Sequence, residues 1–122
     1  MDQRTILTIE DNEYNRKIVR KLLGTRYRLV EAVDGEAGVA LAFSEVPDLI
    51  LMDVQLPKMS GLEATKILRA DARTKDIPIV IITSFALSGD RERAADAGAV
   101  GYLAKPYSPG ELLALVRKFL PE

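Results

Sequence analysis

The sequence predicts one α/β domain, five βα units wound around an open parallel sheet. Residues 49–52 and 79–82 are apolar at every position and residues 6–9 at all but Thr8, which reads as strands buried on both faces by helices. Strand starts near residues 5, 27, 49, 79 and 101 recur at intervals of 22, 22, 30 and 22, the length of a strand, a helix and two loops. The stretches between them carry apolar residues at helical spacing. A chain of 122 residues fits one core, and five units cannot close an eight-unit barrel, so right-handed crossovers leave the sheet open.

Each element has its own local signals. The first strand stops at Glu10-Asp11-Asn12, where Asp11 or Asn12 could cap a helix whose core face is Ile18, Val19, Leu22 and Leu23 and whose stop is Gly24. Residues 27–33 are interrupted by Arg28 and Glu31, which suits an edge strand. Asp34 is placed to cap the second helix, which holds Ala37, Ala40 and Leu41. The third strand ends at Asp53, and Ser60-Gly61-Leu62-Glu63 has the spacing of a capping box for the third helix. The fourth strand ends at Thr83-Ser84, and Gly98 closes the helix after it. Residues 101–104 form a weaker strand leading to Lys105-Pro106. Ser108-Pro109-Gly110-Glu111 is then a second capping box, with Pro at the first helical position and Leu112, Leu115, Val116 and Phe119 behind it.

Composition narrows the chemistry. With no Cys, the chain has no disulfide, thiolate nucleophile, zinc ribbon or iron-sulfur cluster, and with no His it has no Ser-His triad and no imidazole metal ligand. Seventeen Lys and Arg against eighteen Asp and Glu leave a net charge of -1, without the attraction a non-specific nucleic-acid binder needs. The start, Met1-Asp2-Gln3-Arg4 followed by a short apolar run, has neither a signal-peptide core nor a membrane span, so a cytoplasmic protein without membrane insertion is expected.

In an open parallel sheet the site lies beyond the carboxyl ends of the strands. Here those ends carry Glu10-Asp11, Asp53, Thr83-Ser84 and Lys105. Taken singly, each has an ordinary structural use as a cap, a turn residue or a surface lysine. Asp53 is the hardest to explain that way, because a charge directly after an all-apolar strand needs a partner. If the first and third strands are neighbours, three carboxylates converge, and without His or Cys the cation they would hold is Mg²⁺.

The whole set resembles the receiver domain of two-component response regulators, essentially end to end. The residues that carry the resemblance are Leu7-Thr8-Ile9-Glu10-Asp11-Asn12, then Asp48-Leu49-Ile50-Leu51-Met52-Asp53 with Leu56-Pro57 and Ser60-Gly61, then Ile82-Thr83-Ser84, and finally Tyr102-Leu103-Ala104-Lys105-Pro106. The resemblance implies a flavodoxin-like (βα)5 fold with strand order 2-1-3-4-5, helices on both faces, and one receiver domain over residues 1–122. It implies that Asp53 accepts a phosphoryl group and that Lys105 binds it. Asp11, Asp53 and the Gln55 carbonyl would ligate Mg²⁺, with Glu10 acting mainly through bound water. Thr83 and Tyr102 would be the switch pair, and the Lys105-Pro106 bond would be cis. Gln55 and Phe85 would flank the approach of the hydrolytic water. Phe85 would either shield the phosphate or simply pack in its loop.

The same resemblance implies a partner. The chain has no His, so a phosphohistidine donor is another protein, a histidine kinase or a histidine phosphotransfer protein. The downstream target is expected on the fourth helix, fifth strand and fifth helix, near Arg91, Tyr102 and Leu113. Ala99-Val100-Gly101 stands where DNA-binding regulators often carry an acidic pair, which gives no support to their dimer mode. A monomer or weak dimer is expected. Glu10-Asp11-Asn12 with Asn15 resembles phosphorelay receivers. A free-standing regulator is the first reading, and a receiver excised from a hybrid histidine kinase or multidomain regulator the second. A Mg²⁺-dependent phosphohydrolase of the haloacid dehalogenase type competes weakly, because its second Asp is replaced by Gln55. A flavodoxin-like cofactor carrier fares no better, since Glu10-Asp11 would repel a phosphate.

Overall fold

The computed structural model describes residues 3–84 and 89–121, and in them five strands alternate with five helices. They are β1 (Thr5–Ile9), α1 (Glu13–Leu23), β2 (Arg28–Ala32), α2 (Gly35–Glu45), β3 (Leu49–Met52), α3 (Gly61–Arg69), β4 (Ile79–Thr83), α4 (Asp90–Ala97), β5 (Gly101–Ala104) and α5 (Pro109–Phe119). All four strand pairings are parallel and the order is β2-β1-β3-β4-β5. This is the expected flavodoxin-like order, with the crossover direction reversing between β1 and β3.

Alternation along the strands divides the core into two layers. Leu7, Ile9, Ile50, Met52, Ile79 and Ile81 pack against α2, α3 and α4, while Ile6, Leu49, Leu51, Val80 and Ile82 pack against α1 and α5. The central strands β3 and β4 are buried at every residue, which explains their unbroken apolar runs. The edge strands β2 and β5 are half-exposed along most of their length, which explains their weaker signals. Tyr27, expected at the start of β2, instead closes the turn after α1, its N–H bonded to the Leu23 carbonyl at 3.0 Å.

Local chemistry sets the helix ends. Asn12, rather than Asp11, caps α1 by accepting the Asn15 N–H, Asp34 caps α2 through Ala37, and Ser108 and Glu111 close both halves of a capping box at α5. At α3 Ser60 accepts the Glu63 N–H, and among the described residues that half of the box stands alone. The helix α4 differs in kind. It runs Asp90 to Ala97 with only Ala94 and Ala97 buried, starts at Gly89 with no side-chain cap, and stops at Gly98 with φ of 113°. That left-handed stop favours glycine.

Candidate functional site

The site is built at the carboxyl edge of β1 and β3. Ile9 pairs with Met52, so Glu10 and Asp53 emerge side by side, and the Asp53 N–H continues the ladder to the Ile9 carbonyl at 3.0 Å. On its other side the Glu10 N–H bonds the Ala32 carbonyl at 3.0 Å. The backbone under both carboxylates is therefore fixed by the sheet. Gly61 then allows the chain after β3 to turn back over it: a Cβ there would lie 2.0 Å from the Asp53 carbonyl oxygen. One carboxylate oxygen from each of Glu10, Asp11 and Asp53 falls within 4.8 Å of the other two.

Lys105 reaches this group from β5. Its N–H extends the β4 ladder to the Thr83 carbonyl at 2.8 Å, and its peptide bond to Pro106 is cis, as the resemblance implies. Its Nζ donates to Glu10 Oε1 at 2.5 Å and to Asp53 Oδ2 at 3.0 Å. All three side chains are nearly sealed from solvent, at 13%, 7% and 10% exposure. Burial by itself opposes the Lys105 charge, but the bonds to Glu10 and Asp53 outweigh it and raise its pKa above the ordinary lysine value.

The rest of the expected set is arranged around this pair. Glu10 Oε2 accepts the Asn12 N–H at 3.0 Å, so both of its oxygens are engaged. Asp11 is exposed at the rim, and the exposed Gln55 donates its N–H to Asp53 Oδ1 at 3.3 Å. Together with Asn15 and Ser84 they border an open cleft of about 210 Å³. Thr83, 1% exposed, ends β4 beside the site. Tyr102 lies on the neighbouring strand β5, paired with Ile81, two residues before Thr83. The Arg91 guanidinium sits 4.7 Å from its ring centroid, and the two border a recess of about 160 Å³ with Ala94 and Ala99. Phe85 lies outside the described residues.

One contributor was not foreseen. Arg16 donates to the Glu10 carbonyl at 2.8 Å while pairing with Glu13 and Glu31, so it holds the β1–α1 turn from outside. Its only signal in the sequence is its place one helical turn beyond the Asn12 cap, which many arginines share.

The family profile of the response regulator receiver domain matches residues 6–117. The polar-differentiation response regulator DivK of Brucella ovis is 38% identical over 118 residues, 96% of this chain and 96% of that protein. Among solved structures, the receiver domain of the sensor histidine kinase PA1611 from Pseudomonas aeruginosa PAO1 has a TM-score of 0.90 at 36% identity, covering 100% of both chains. In that structure a magnesium ion is coordinated in the active-site cleft. A putative response regulator from Chloroflexus aurantiacus gives a TM-score of 0.92 at 30% identity, over 99% of this chain and 100% of that one.

Proposed function

The chain belongs to the response regulator receiver domain family, and from that premise we propose that Asp53 is the residue that takes the phosphoryl group. The observation that carries this reading is the nearly buried Asp53 carboxylate, 3.0 Å from the Lys105 ammonium and grouped with Glu10 and Asp11. An anion approaching a phosphoryl group is repelled until charge is neutralised, and a positioned ammonium supplies part of that neutralisation. As the Asp53 O–P bond forms, the N–P bond of a phosphohistidine donor breaks. The imidazole leaves with the electron pair, and the acyl phosphate remains on Asp53.

The donor set also fits a divalent cation, being all hard oxygen with no soft ligand among the described residues. Asp11, Asp53 and the Gln55 carbonyl would hold Mg²⁺, which when bound would neutralise charge on the phosphoryl oxygens and so make the phosphorus under attack more electrophilic. Glu10 is already committed to Lys105 and Asn12, which suits an outer role through water. After transfer, the phosphoryl oxygens draw the Thr83 hydroxyl and Lys105 toward them. The Tyr102 ring then follows into the space beside β4, and the α4, β5 and α5 face around Arg91, Tyr102 and Leu113 changes for its protein target. Gln55 and, by its place in the sequence, Phe85 would set the lifetime by controlling access of water.

The chemistry is done on the chain itself, with a histidine kinase or phosphotransfer protein as donor, and no helix among the described residues is long and apolar enough to cross a membrane. Acetyl phosphate with Mg²⁺ tests the reading. Intact mass should show one added phosphate on the parent and none on Asp53→Asn, and an equal addition to Asp53→Asn would refute it.

A further inference from the structure

Thr8 is 4% exposed in the middle of β1, and its Oγ1 is the one buried side-chain polar atom without a hydrogen-bond partner among the described residues. Leaving a hydroxyl dry is costly, and buried polar groups in folded proteins are nearly always satisfied by protein or by ordered water. Strand alternation puts Thr8 on the α1 and α5 face with Ile6, paired with Glu31 on β2 and Leu51 on β3, directly beneath Glu10.

A small cavity of about 20 Å³ lies there, bordered by Thr8, Asn15, Leu51, Asp53, Lys105 and Tyr107. A water needs roughly 10–15 Å³ measured in this way and two to four polar partners. The volume therefore admits one water, and although Ile9, Val19, Met52 and Ile82 make much of the wall apolar, Thr8 and Lys105 both border it and carry the polar atoms a water needs. Lys105 Nζ makes two hydrogen bonds, to Glu10 and Asp53, while an ammonium carries three donors.

We propose that one water occupies this cavity, bonded to Thr8 Oγ1 and to the third N–H of Lys105, and that Thr8 is thereby a positioning residue for that lysine. The water bridges β1 to the end of β5 and fixes the remaining direction of the ammonium, so that Nζ faces Asp53 rather than swinging toward the open cleft. The functional half of this inference rests on the phosphoacceptor reading. The water and the lysine position do not.

The test begins with a high-resolution crystal structure of the unphosphorylated chain. Electron density for a water within hydrogen-bonding distance of Thr8 Oγ1 and Lys105 Nζ is expected, and an empty cavity overturns the proposal whatever the phosphorylation chemistry. Thr8→Val keeps the branched shape and removes the hydroxyl. It should lose the water, lengthen the separation of Lys105 Nζ from Asp53 Oδ2, and slow phosphorylation by saturating acetyl phosphate with Mg²⁺ by about three- to tenfold. Thr8→Ser keeps a hydroxyl and should restore the water and the rate to within about twofold. A Thr8→Val structure with the lysine unmoved, or a Thr8→Ser variant as slow as Thr8→Val, contradicts the positioning role. A parent that takes no phosphate at all would instead sink the phosphoacceptor reading and leave the crystallographic result to decide the water.

Discussion

Lys105 Nζ lies 3.0 Å from Asp53 Oδ2, although 52 residues separate them and their strands, β5 and β3, are not neighbours. The lysine spans β4 to reach the carboxylate, and Glu10 on β1 accepts from the same nitrogen. One cation thus ties three strand ends together.

Removing that cation leaves Glu10 and Asp53 as adjacent, nearly buried like charges. Lys105→Met should lower stability by about 1–3 kcal/mol, less in Mg²⁺, and slow phosphorylation at least tenfold. Denaturant unfolding with and without the metal measures the first effect. Equal stability of parent and variant would show that the pair contributes nothing to folding.

The same contact sets an alkaline limit. Because the folded-state pKa of Lys105 is raised, its contribution is fully present below the unfolded lysine value of about 10.4 and is lost as pH rises through the higher folded value. The parent should therefore lose stability above about pH 10 more steeply than Lys105→Met. Parallel curves would contradict the coupling.

Metal binding should depend on Asp11, the exposed member of the acidic group. Asp11→Ala should weaken Mg²⁺ affinity by more than about tenfold, and chelation should abolish phosphorylation of the parent. Calorimetric titration with Mg²⁺ decides the first point, and unchanged affinity would place the metal elsewhere.

Gly61 should tolerate no side chain. A Cβ there meets the Asp53 carbonyl oxygen at 2.0 Å, whereas at Gly110 its nearest neighbour is Ser108 Oγ at 3.9 Å. Gly61→Ala should cost about 1–3 kcal/mol and reduce phosphorylation by moving Asp53, while Gly110→Ala should stay within about 0.5 kcal/mol of the parent. Thermal unfolding of both variants checks this, and a neutral Gly61→Ala would mean that the turn relaxes freely.

Much of this arrangement was legible in the sequence, for a physical reason. A parallel sheet covered on both sides makes its central strands wholly apolar, so residues 49–52 and 79–82 announce themselves and the polar residue after each run marks the site edge. The edge strand β5 and the helix α4, which buries only Ala94 and Ala97, carry far weaker patterns because most of their residues face water at least in part. The contacts of Arg16 with the Glu10 carbonyl and the isolation of Thr8 Oγ1 were not legible at all. Both depend on how neighbouring elements meet in space, and neither residue type is unusual where it stands.

Transmission should need the Thr83 hydroxyl. In the parent, phosphorylation should alter amide exchange across α4, β5 and the start of α5. Thr83→Ala should still accept phosphate but lose most of that change. An identical exchange difference in the variant would remove Thr83 from the switch.

The central claim is that the phosphoryl group resides on Asp53 as an acyl phosphate. Borohydride reduces an aspartyl phosphate to homoserine, so treatment of the phosphorylated chain followed by peptide mass spectrometry reads the modified position directly. Homoserine at residue 53 and nowhere else is the result this account requires. Homoserine at Asp11, or phosphate surviving reduction on a Ser or Thr, would contradict it.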